Sequence, residues 1–128
     1  LEDDVKKSSL SNFIIFKPYL YNLSKEMSQA SIVVLPSKYE GMPNIILESA
    51  LFKIPFLISD NCKEIIRIFG KKNTMTFIND DVCSLRKALV QVTKSKKPRI
   101  HIKNNYETIT REFNNEKIIK YWEKIFFN

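Results

Sequence analysis

Two glutamates eight residues apart, Glu40 and Glu48, bracket a point where Pro43 can open a helix. Proline in a first helical turn gives up an N–H that would have no partner there anyway. The free amides of such a terminus, with the positive end of the helix dipole, favour phosphate. A carboxylate accepting two hydrogen bonds from vicinal hydroxyls is one way to hold a sugar or ribose ring. The run Pro36-Ser37-Lys38-Tyr39-Glu40-Gly41-Met42-Pro43-Asn44, with Glu48 beyond it, therefore suits a nucleoside diphosphate carrying a sugar at each end. Taken without their surroundings, the two glutamates are equally well explained as dipole partners on a solvated surface.

Such a loop needs a sheet to carry it. Ser31-Ile32-Val33-Val34-Leu35 is a continuous apolar run stopped by Pro36, the pattern of a strand buried on both faces. Asn44 to Lys53 predicts a helix whose Ile45, Ile46, Leu47 and Leu51 are core. Pro55-Phe56-Leu57-Ile58-Ser59 predicts a second buried strand, residues 62 to 69 a short helix ended by Gly70, and Thr74 to Ile78 a last strand. Upstream, Asn12-Phe13-Ile14-Ile15-Phe16 predicts a strand closed by Pro18, and residues 20 to 29 a helix with Leu20, Leu23 and Met27 on one stripe. Downstream, Asp80 and Asp81 are placed to cap a helix whose stripe is Val82, Leu85, Leu89 and Val92, and which Pro98 breaks. The tail from about 104 to 127 reads as helical, with Ile118, Trp122, Ile125 and Phe126 on one face. Alternating strands and helices with near-continuous apolar strands give an α/β class with a Rossmann-like parallel sheet. In such sheets ligands bind beyond the carboxyl ends of the strands, so the loops after Leu35 and Ser59 are the ones to inspect.

Composition narrows the alternatives. A chain of 128 residues with 44% hydrophobic residues is one domain's worth of sequence with enough apolar surface for a core. Two glycines exclude both a G-x-G-x-x-G fingerprint and a Walker A loop. The net charge of +7 comes from dispersed lysines, densest at Lys94-Ser95-Lys96-Lys97-Pro98-Arg99, which reads as a solvated surface or one that attracts anions, and not as a nucleic-acid footprint. Cys62 and Cys83 lie 21 residues apart with no C-x-x-C pattern, and His101, read as a surface residue, is the lone histidine. Neither a disulfide framework nor a metal site is expected, and a reducing, cytoplasmic setting is. No apolar run approaches the roughly 18 residues of a bilayer span. The sequence opens on Leu1 and no signal peptide, and reads as a piece of a longer chain.

The ordered run Pro36-Ser37, Glu40-Gly41-Met42-Pro43-Asn44-Ile45-Ile46-Leu47-Glu48-Ser49-Ala50 and Ile54-Pro55-Phe56-Leu57-Ile58-Ser59-Asp60 resembles the signature of family 4 retaining glycosyltransferases. Those enzymes have the GT-B fold, two Rossmann-like domains facing a cleft, and the resemblance covers most of the second half of the donor-binding domain. Asn12 to Phe16 matches the strand before the motif, residues 81 to 93 a later helix and residues 112 to 127 the terminal helix. The resemblance implies that Glu48 binds the ribose hydroxyls of the nucleotide and that Glu40 is catalytic, holding the transferred sugar and assisting the transition state. It lays Gly41, Met42, Pro43 and Asn44 against the sugar and diphosphate, with Ser37 a further donor contact or a plain loop residue. It implies a nucleotide-sugar donor, no metal or other cofactor, and transfer with retention to a saccharide or lipid acceptor, as in polysaccharide biosynthesis. A non-catalytic nucleotide-binding module and a nucleotide-sugar epimerase share the same fold.

Lys53 stands where the family has Gly, Asn61-Cys62-Lys63 replaces a Gly pair before Glu64, and Pro18-Tyr19 replaces another Gly. The family's N-terminal acceptor domain has no counterpart in the 128 residues, nor have the first two strands of its donor domain, with the Arg and Lys that neutralise the leaving diphosphate. By family sheet order those strands separate the first strand seen here from the second, so the sheet cannot be rebuilt unchanged and the chain alone is expected to transfer no sugar. Trp122, Phe126 and Phe127 are expected to dock the tail on the fold. The alternative is peripheral contact with an anionic membrane at its inner face through Lys117, Lys120 and Lys124.

Overall fold

The computed structural model describes residues 2–94 and 98–120. Nine elements follow in order: α1 (Glu2–Lys6), α2 (Ser24–Gln29), β1 (Val33–Leu35), α3 (Asn44–Leu51), β2 (Phe56–Ser59), α4 (Lys63–Phe69), β3 (Met75–Phe77), α5 (Val82–Lys94) and α6 (Pro98–Glu112). The strands form one parallel sheet in the order β1-β2-β3, with Val34 beside Leu57 and Ile58 beside Thr76. The α/β class and the parallel sheet expected from the sequence are both present.

The centre of the sheet is the centre of the core. All four residues of β2 are buried, whereas β1 is half-buried and β3 buries only Phe77. Ile46 and Ala50 of α3, Ile65 and Phe69 of α4, and Ile109 of α6 close over Phe56 and Ile58. The rings of Phe56 and Phe69 meet at 5.3 Å and 54°, a tilted arrangement that satisfies their quadrupoles. α6 lies across α3 and α4, and α5 lies beside β3. The α5 stripe residues Leu85, Leu89 and Val92 are half-buried, while Val82 is exposed.

Local chemistry sets the element ends. α3 stops at Leu51 rather than Lys53, because Lys53 N–H donates to Ala50 O (3.2 Å) and Ile54 N–H to Ser49 O (2.8 Å). These are the paired bonds of a Schellman motif, whose left-handed residue is Lys53 at φ 57. The position where the resemblance expects glycine is left-handed here and occupied by lysine, whose Nζ lies 4.3 Å from the Tyr106 ring centre. Ser24 N–H donates to Asn22 Oδ1 (2.8 Å), and α2 begins only there, leaving Leu20 and Leu23 outside it. α5 is capped by Asp81, whose Oδ1 accepts from Ser84 N–H (2.9 Å). Asp80 takes no part in that cap and sits at φ 57.

Four further expectations are corrected. Residues 12–16 form no strand, and Phe13 and Ile15 are each 81% exposed. An extended apolar segment becomes a strand only where it pairs with a neighbour, and the described sheet runs β1-β2-β3 with no strand paired to the outer edge of β1. For the same reason β1 is not buried on both faces. The tail helix begins at Pro98, not near 104, and breaks at Phe113-Asn114; Asn114 Oδ1 then accepts from Glu116 N–H (2.8 Å), and residues 115–120 are helical again. His101 is half-buried, not a surface residue, and its Nδ1 is enclosed without a partner. Ile118 is partly exposed, and Trp122, Lys124, Ile125, Phe126 and Phe127 lie outside the described residues, as does 95–97 of the basic run.

Candidate functional site

Three loops meet at the carboxyl end of the sheet: residues 36–43 after β1, 60–62 after β2 and 78–81 after β3. In the first, Ser37 and Glu40 are half-buried, Gly41 and Met42 are exposed, and Pro43 is buried. Pro43, at φ −73 and ψ 104, is the N-cap of α3, and no side chain caps that helix. Its carbonyl accepts from Ile46 N–H (3.0 Å), so Asn44 and Ile45 carry the uncapped leading amides. Glu48 is half-buried in the second turn. It lies one turn after Asn44 on the same helical face, where Cα–Cβ bonds tilt toward the amino terminus. The buried Cys62 thiol is pushed up by desolvation first, then by the negative charges of Glu40 and Asp60, so both carboxylates come within electrostatic reach of the start of α4.

The sequence-predicted residues Ser37, Glu40, Gly41, Met42, Pro43, Asn44 and Glu48 lie in the loop before α3 and in its first two turns. A Cβ built on Gly41 meets no atom within 4 Å, and its φ is not in the left-handed region. Neither the local backbone nor the local packing calls for glycine there. A cavity of about 650 Å³ lies elsewhere, along Cys83, Arg86, Lys87, Val90, Gln91 and Lys94 of α5. Met42 borders a smaller recess of about 450 Å³ with Arg67 and Phe113. Chemistry and cavity size point to different places.

Sequence reasoning missed the residues that tie the three loops together. Ser59 Oγ, fully buried, donates to Asn79 Oδ1 (3.1 Å), Asn79 N–H donates to Asp60 Oδ1 (3.0 Å) and Asn61 N–H to Ser59 Oγ (3.3 Å). Asn61 Nδ2 reaches Lys38 O (3.3 Å), and Lys38 Nζ pairs with Asp80 Oδ2 at 2.7 Å. Asn61, in the stretch where the resemblance expects a glycine pair, is not left-handed, and its side chain makes the cross-loop contact. Among the described residues no three His, Cys, Asp or Glu side chains are grouped to hold a metal ion, Cys62 and Cys83 are free, and no helix is long and apolar enough to cross a membrane.

Residues 1–95 match the family model of the group 1 glycosyl transferases. The chain is 26% identical over 97% of its length to the O-antigen biosynthesis glycosyltransferase WclY of Escherichia coli, covering 34% of that protein. It is 22% identical over 98% of its length to an uncharacterized glycosyltransferase of Haemophilus influenzae, covering 36% of it. The chain thus spans about a third of the length of these curated relatives.

Proposed function

We propose that this chain, which belongs to the group 1 glycosyltransferases, forms the nucleotide-sugar-binding part of an enzyme of the retaining, family 4 type. The observation that carries the reading is the uncapped start of α3 at the carboxyl end of the sheet, with Glu40 in the loop before it and Glu48 in its second turn. Glu48 takes the ribose hydroxyls and the leading amides of α3 face the diphosphate. Glu40 takes the hydroxyls of the transferred sugar and stabilises the positive charge that develops on it as the glycosidic bond to phosphate lengthens. Gly41 through Asn44 lie against the donor in this reading. No metal or other cofactor takes part in this reading. Transfer is to a saccharide or lipid acceptor held by an acceptor domain outside these 128 residues, within a cytoplasmic polysaccharide-building pathway, in keeping with the O-antigen role in the name of the Escherichia coli relative.

Calorimetric titration with nucleoside diphosphate, beside steady-state kinetics on the full-length protein, tests the assignment. Glu48→Ala is expected to weaken nucleotide binding by up to about 1.5–3 kcal/mol for each hydrogen bond lost to the charge, and less where water substitutes. Glu40→Ala is expected to leave nucleotide affinity nearly intact while kcat and kcat/KM fall together, the mark of a transition-state contact. The reverse pattern would exchange the two roles. No effect from either change would favour a non-catalytic module.

A further inference from the structure

The donor reading needs Glu40 to be held still, yet among the described residues no backbone–backbone hydrogen bond joins residues 36–42 to anything else. Side chains from the two neighbouring loops make the connection instead, and both contacts converge on Lys38, two residues before Glu40. Asn61 Nδ2 donates to its carbonyl at 3.3 Å, and Asp80 Oδ2 receives its ammonium at 2.7 Å. Asp80 is free to do so because Asp81 serves as the α5 cap, and it does so from a left-handed backbone at φ 57. Non-glycine residues occupy such conformations where the surroundings demand them, often beside functional sites. Asn61 and Asp80 are themselves fixed, since Asn61 N–H donates to Ser59 Oγ (3.3 Å), and Asn79, the neighbour of Asp80, is bound to both Ser59 and Asp60.

We propose that Lys38, Asp80 and Asn61 form a latch that holds the 36–43 loop across the ends of β2 and β3, and that they act as positioning residues for Glu40. The latch rests on the donor-site reading for its purpose, though not for its existence. Lys38 and Asp80 are largely exposed, so the ion pair is weak and screened by salt, and each contact contributes a small bias to the loop equilibrium. Since a donor must find the loop in its competent shape, loosening the loop lowers apparent affinity by the fraction of competent loop that is lost.

Backbone ¹⁵N relaxation of residues 37–42 in the full-length protein measures the latch directly, since among the described residues these amides make no hydrogen bonds for exchange to report. Asp80→Asn removes the charge while keeping a residue type that tolerates φ > 0. It is expected to raise the population of released loop roughly two- to fivefold at low salt, read as lowered order parameters for residues 37–42 with β2 unchanged. Salt at about 1 M should bring the wild-type loop to the same order parameters and leave the variant unmoved. Lys38→Arg should behave as wild type, and Asn61→Ala combined with Asp80→Asn should loosen the loop further. Wild-type order parameters in Asp80→Asn, or a loss of order spread equally over β2 and α3, overturns the latch. In parallel, UDP, GDP and ADP are titrated into each full-length protein. The nucleotide bound best by wild type should bind Asp80→Asn more weakly by a similar factor, and unchanged affinity with a loosened loop overturns the positioning role. If wild type binds none of the three, the donor-site reading falls while the relaxation result still decides the latch.

Discussion

Asn12-Phe13-Ile14-Ile15-Phe16 and Pro55-Phe56-Leu57-Ile58-Ser59 are nearly the same kind of sequence, yet the first is exposed coil and the second contains the most buried strand of the fold. Leu57 and Ile58 are fully buried between two paired strands, while Phe13 and Ile15 face water. Intrinsic β-propensity is similar in the two runs, so what separates them is the supply of neighbours on either side. The N-terminal segment is tied to the rest by Lys17, whose ammonium bonds Glu26 of α2 at 2.8 Å and holds that carboxyl below its usual range. Position in the sheet outranks residue type.

The largest expected effect sets the two runs against each other. Ile58→Ala should cost about 2–5 kcal/mol, as for other large-to-small changes in a packed core. Ile15→Ala should stay within about 0.5 kcal/mol. Urea unfolding of both variants checks the pair, and comparable losses would mean that residues 12–16 are packed in solution.

The cysteines sharpen the same contrast with one residue type. Cys83 is exposed and Cys62 buried, so maleimide labelling of Cys62 should be roughly a hundredfold slower or more, since it waits on an opening of the core. The Cys62 thiol is raised by burial, then by Glu40 and Asp60. A folded pKa above the unfolded one gives stability that is complete below the unfolded thiol pKa, about 8.5, and is lost as pH rises through the folded value. Melting followed from pH 7 to 10 should show a decline at the alkaline end that Cys62→Ala abolishes.

The smallest effect concerns Lys53, left-handed at φ 57. Lys53→Gly relieves about 1 kcal/mol of backbone cost but adds unfolded-chain entropy and loses the contact with Tyr106. The net change in thermal stability should therefore lie within about 1 kcal/mol.

What could be read from the sequence was what neighbours in the chain decide. The β2 strand, the α4 helix with Gly70 behind it, and the loop that brings Glu40 to the start of α3 all follow from local patterning. The fate of Phe13 and Ile15 did not, because a missing partner leaves no trace in the residues that lack it. Nor did the contacts of Lys38 with Asn61 and Asp80, which join loops far apart in sequence that only the parallel sheet brings together. Asp81 was legible as a cap, whereas its neighbour Asp80 was read as a second cap and instead pairs with Lys38.

The central claim is that a nucleotide sugar binds at the start of α3 and not in the cavity along α5. Backbone amide shifts of the ¹⁵N-labelled chain, followed during titration with nucleoside diphosphates to millimolar concentration, test it directly. The account predicts saturable shifts centred on Gly41, Met42, Asn44 and Glu48, with Arg86, Lys87 and Val90 still. Shifts confined to the α5 residues, with residues 37–48 unmoved at saturation, would contradict it.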